Sequence, residues 1–105
     1  MKNSEETAIS IPEHIKALML GGWTEYRSLS EEDQKVFDKA LNGLVGVQYT
    51  PIAVATQVVN GVNYSFFCNA QIVIPNSPNQ AAMISVHLST KGDADISNIT
   101  MPLPR

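Results

Sequence analysis

The chain has 105 residues, the length of a single domain, and its 44% hydrophobic and 16% charged residues exclude a disordered or low-complexity chain. A net charge of −3 with seven scattered Lys and Arg argues against a nucleic-acid or anionic-lipid surface. The single cysteine, Cys68, excludes an intrachain disulfide and a zinc site of several thiolates.

In chain order, residues 1–11 are polar and read as a flexible tail. Pro12–Leu20 has Pro at a first helical position and suggests a short helix. Its apolar run, Ala17–Leu20, is too short for a signal core or a membrane span. The expectation is therefore a cytoplasmic protein, or a secreted one if a signal was removed, with no membrane partner. Residues 1–18 divide off as a flexible or partly helical segment, and residues 19–105 form the domain. Gly21-Gly22 breaks regular structure, and Trp23–Arg27 alternates large and polar residues as a short strand does.

Ser30 followed by Glu31, Glu32 and Asp33 is an N-cap with an acidic first turn, which the helix dipole favours. Val36, Phe37, Ala40, Leu41 and Leu44 recur at helical spacing as one apolar stripe. They predict an amphipathic helix over Glu31–Leu44, ended by Gly43 and Gly46. Val47–Val59 is β-branched, with Pro51 demanding a bulge or an outward position. Asn60-Gly61 is a hairpin turn, and Val62–Ile74 is the return strand. Residues 75–79 are a loop. Ala82–Ser89 alternates, with Ile84, Val86 and Leu88 on one face and Ser85 and His87 on the other. Lys91-Gly92-Asp93 turns the chain into a last strand, Asp95–Met101. This order is strand, helix, then four hairpin-linked strands. It predicts an α+β fold in which an antiparallel sheet of about five strands wraps one helix.

Met19-Leu20-Gly21-Gly22 before the helix, Gln57-Val58-Val59-Asn60-Gly61 in the first hairpin after it, and Asn63-Tyr64 on the return strand together resemble the cystatin superfamily. That family inhibits papain-like cysteine proteases, and its hairpin carries Q-x-V-x-G. Without disulfides the chain looks most like the stefin branch, and the β-α-β-β-β-β order agrees over about Met19–Met101. The resemblance implies a reversible competitive inhibitor, not an enzyme, that needs no cofactor or metal. Its protease-binding residues would be Gly21 and Gly22 on the N-terminal segment, then Gln57, Val58, Val59, Asn60 and Gly61 on the first hairpin. Lys91 and Gly92 would lie on the second hairpin, whose 90–95 stretch lacks the apolar residues the family often places there. A monomer is expected, with strand exchange as a route to a dimer.

Alternatives remain open in the residues themselves. The same fold can serve as a non-inhibitory interaction domain. Asn60-Gly61 can be a plain turn, Gly21-Gly22 a linker and Trp23 a core or cap residue. Cys68 and His87 fall on neighbouring strands, where a thiol–imidazole pair is conceivable; a buried cysteine and an exposed histidine are the simpler reading. Asn63-Tyr64-Ser65 and Asn98-Ile99-Thr100 match the glycan acceptor pattern, but both fall on strands.

Overall fold

The computed structural model describes residues 22–101. They form helix α1 (Glu31–Leu41) and strands β1 (Val47–Val59), β2 (Gly61–Ile72), β3 (Asn79–Leu88) and β4 (Ala94–Thr100). The helix expected over Pro12–Leu20 and the first glycine of the pair, Gly21, lie outside the described residues.

Helix α1 starts where the N-cap pattern places it. The Asp33 N–H donates to Ser30 Oγ at 3.2 Å, and the Ser30 N–H donates back to Asp33 Oδ2 at 2.8 Å. This reciprocal capping box satisfies two donors that the first turn would otherwise leave orphaned. The helix ends earlier than expected, at Leu41. The Asn42 N–H bends back to the Lys39 carbonyl, and Gly43 adopts φ +90°, which closes the helix. Leu44 therefore leaves the helical stripe and is exposed.

The four strands form one antiparallel meander in the order β1-β2-β3-β4. The fifth strand expected over Trp23–Arg27 is not a full strand. It touches β1 by two isolated bridges, Trp23 to Gln57 and Arg27 to Val54. Between them the Thr56 N–H is taken by the Thr24 hydroxyl at 3.0 Å, so a side chain interrupts the backbone ladder. Pro51 does mark a bulge: the register shifts between Pro51 and Ala53, leaving Ile52 unpaired and outward. A second shift lies between Ser85 and Val86 of β3.

Strand alternation sorts the sheet into two faces. The helix-side face carries Val54, Tyr64, Phe66, Cys68, Ile84 and Val86, all buried. The Phe37 ring of α1 meets Phe66 edge-on at 5.0 Å, and Tyr64 stacks on Phe66 at 5.5 Å. Phe66 thus sits at the centre of the core, where full burial of such a side chain stabilises by about 1.5–3 kcal/mol. The outer face is mostly polar, with Gln57, Asn63 and His87 in one row. Tyr26 reaches over it and its hydroxyl hydrogen-bonds Ser65 Oγ at 2.7 Å.

Candidate functional site: the tip end of the sheet

The hairpin between β1 and β2 closes around Asn60, with Val59 paired to Gly61 and Val58 to Val62. Gly61 has φ +97°, whereas Asn60 is not in the left-handed region. The turn is therefore not the type I′ form, which needs positive φ at both central residues. Gly61 is required for a second reason. A Cβ there would overlap the Leu88 carbonyl oxygen and come within 3.2 Å of the His87 ring. The hairpin tip is thus held against the end of β3.

A side-chain chain braces the hairpin on the outer face. Asn63 Nδ2 donates to Gln57 Oε1 at 2.9 Å, which leaves Asn63 Oδ1 as the acceptor for His87 Nδ1 at 2.8 Å. Gln57 and His87 are accordingly partly buried supports. Val58 and Val59, adjacent in sequence, point to opposite faces and stay 46% and 39% exposed. They form an apolar tip on a fixed backbone.

Two other segments come to the same end. The antiparallel bridge from Trp23 to Gln57 sets Gly22 beside Val58. On the other flank, Val62 pairs with Leu88, so the turn after β3 follows directly beyond the first tip. That turn is tightly bonded: Ser89 Oγ accepts from the Lys91 and Asp93 N–H groups at 3.2 and 3.1 Å. Lys39 of α1 donates through Nζ to the Gly92 carbonyl at 2.6 Å, tying the turn to the helix. Gly22, Gln57, Val58, Val59, Asn60, Gly61, Lys91 and Gly92 are therefore all at one end. Sequence reasoning missed the braces. Ser89 sits in a Ser-Thr-Lys-Gly-Asp turn whose composition signals such bonding. Nothing local could reveal Lys39, because its partner lies 53 residues away.

The stretch from Gly22 to Ser30 is tied to the helix start by an ion pair. The Arg27 guanidinium bonds the Asp33 carboxylate, which is buried at 4% exposure and also receives Ser30 Oγ at 2.9 Å. Burial alone would raise the Asp33 pKa; the donors from Arg27 and Ser30 outweigh it and hold the carboxyl below its ordinary value.

Cys68 and His87 do not meet. Cys68 is fully buried on the helix side, where burial pushes its thiol up to about 12. His87 is on the opposite face with Asn63. Among the described residues no group of His, Cys, Asp and Glu is placed to hold a metal ion, and no helix is long and apolar enough to cross a membrane.

The fold and its tip end define an α+β domain, a helix-backed antiparallel sheet that projects apolar and turn residues from one end. No protein-family model matches this chain, and no curated protein sequence matches it.

Proposed function

We propose that this protein is a reversible competitive inhibitor of papain-like cysteine proteases, a stefin-like member of the cystatin superfamily. The observation that carries the reading is the alignment of Gly22, the Val58–Gly61 tip and the Ser89–Asp93 turn along one end of the sheet. A protruding row of this kind suits a cleft. Val58 and Val59 enter an apolar groove, and Gly22 lets the preceding chain lie along the cleft and turn away from the nucleophile. The braced hairpin and the bonded second turn lose little loop entropy on binding, which favours affinity. No residue of the inhibitor takes part in bond making or breaking.

Titration of papain with the folded protein tests the reading: inhibition that a rising substrate concentration reverses is expected. No inhibition at micromolar protein overturns it. Val58→Asp should lose inhibition by at least about a hundredfold, because a carboxylate forced into a dry cleft costs several kcal/mol. Its Tm should stay put, since the side chain is half exposed.

A second reading, a non-inhibitory interaction domain, is favoured by the second turn. Lys91 and Asp93 stand there, without a large apolar side chain to enter a groove. Recovery of another protein, and no cysteine protease, in a pull-down supports this reading over the first.

A further inference from the structure

Two of the elements that align at the tip end belong to separate segments. Gly22 is carried by the arm Trp23–Arg27, and Val58–Gly61 by the β1–β2 hairpin. The arm meets β1 by two isolated bridges, Trp23 to Gln57 and Arg27 to Val54. Between these bridges the arm advances four residues and β1 only three, so the arm has one residue more than its partner and bows away from it. Backbone bonds hold the two ends of the bow. The Thr24 N–H donates to the Thr56 carbonyl at 2.9 Å, and Arg27 exchanges bonds with Val54 at 3.0 and 2.8 Å. The Arg27–Asp33 ion pair fixes the helix-side end further. Among the described residues no backbone bond joins Glu25 or Tyr26 to β1.

Packing does not hold the bow down either. An open cavity of about 290 Å3 separates Trp23, Thr24 and Tyr26 from Ala55, Ser65 and Ser85 of the sheet. Trp23 and Tyr26 are each about half exposed. What crosses this space is the Tyr26 side chain, whose hydroxyl passes β1 and bonds Ser65 Oγ on β2 at 2.7 Å. Neither residue stands at the tip: Ser65 pairs with Ala55, three residues along β1 from Val58.

We infer that the Tyr26–Ser65 clasp sets Gly22 beside the first tip, and that Tyr26 and Ser65 are positioning residues for inhibition. The second half of this inference rests on the inhibitor reading. With the clasp closed, the arm is tied to two strands and delivers Gly22 in line with Val58–Gly61. With it open, the arm hangs on the bonds at its ends and must be ordered again when a protease cleft closes on it, which weakens affinity. Removing one hydroxyl leaves the other beside an open cavity, where water can bond it, so no buried group is orphaned and the fold loses little.

Amide exchange of the full chain and inhibition of papain, measured on Tyr26→Phe, Ser65→Ala and the double variant, test the inference. Tyr26→Phe keeps the ring and removes only the hydroxyl. Each single variant should speed exchange of the Thr24 N–H at least about twofold and weaken inhibition about two- to tenfold, the range one neutral hydrogen bond gives. The double variant should lose no more than either single one, because the two hydroxyls make one bond. Ser65→Thr, which keeps a hydroxyl, should behave like the wild type. Exchange in β2 and β3 and the Tm should not change. Additive losses, unchanged Thr24 exchange, or a fall in Tm with faster exchange across the sheet overturns the proposal. Faster exchange in the arm with undiminished inhibition overturns the positioning role. A wild type that does not inhibit papain overturns the inhibitor reading alone, and the exchange measurements then decide by themselves whether the clasp sets Gly22 in place.

Discussion

Replacing Asp33 with Asn tests the anchor that joins Arg27 to the helix start. The substitution keeps size and shape and removes the charge. In the wild type the Asp33 side chain is 6% exposed and its carboxylate accepts from the Ser30 N–H at 2.8 Å, from Ser30 Oγ at 2.9 Å and from the Arg27 guanidinium. A hydrogen bond to a charged group contributes about 1.5–3 kcal/mol, against about 0.5–1.5 kcal/mol for a neutral one. The Arg27 side chain is 46% exposed, so water screens its share. The net loss should be about 1–2 kcal/mol, or about 5–10 °C in Tm for a domain of this size. The pH dependence identifies the cause. The folded-state pKa of Asp33 lies below its ordinary value of 3.8, so between the two the unfolded chain binds more protons. The carboxylate's contribution is complete above the unfolded pKa and is lost as the pH falls through the folded one. Thermal melts of wild type and Asp33→Asn should therefore differ at pH 7 and converge at strongly acid pH. Equal Tm values at pH 7, or a gap that persists undiminished in acid, would refute this account of the anchor.

Gly61→Ala should destabilise by about 2 kcal/mol or more, since it combines positive φ with overlap on the Leu88 carbonyl; an unchanged Tm would show that the tip relaxes freely. Phe66→Ala, at the centre of the aromatic cluster, should cost about 3–5 kcal/mol in a denaturant melt. Cys68, buried and with its thiol pushed up to about 12, should not react with a thiol reagent at pH 8 until the chain unfolds. Prompt reaction of the native protein would contradict that burial. Tyr64 has its pKa raised, by burial first and by the Asp33 carboxylate second. Stability should therefore fall as pH rises from about 10 through the folded-state value, as alkaline melts can show.

The local parts of this molecule are legible in its residues. Ser30 with Asp33 specifies the helix start through bonds within three residues. Alternation along 82–89 assigns Ile84 and Val86 to the core and His87 to the outer face. Pro51 announces a bulge because it cannot donate to the ladder. The errors are all at edges. Leu44 fits the helical period, yet Gly43 ends the helix before it. Trp23–Arg27 alternates like a strand, yet the Thr24 hydroxyl takes a β1 N–H and breaks the ladder into two bridges. The asparagine-glycine hairpin turn is where the sequence places it, with Gly61 left-handed; its fit against the Leu88 carbonyl and the His87 ring is a tertiary contact that no local pattern shows.

The sequence by itself determines the start of the helix, the four hairpin-linked strands, the sheet's two faces and the residues that form its tips. These follow from periodicity and from φ constraints that act within a few residues. The tertiary structure alone decides which tips share an end, since strand register depends on pairing across the whole sheet. It also decides that Cys68 and His87 face away from each other, that Lys39 holds Gly92 from 53 residues away, and that exposed aliphatic side chains of 44–45 and 72–74 gather at the far end. Each is a contact between distant segments, and only the closed sheet with its helix brings those segments together.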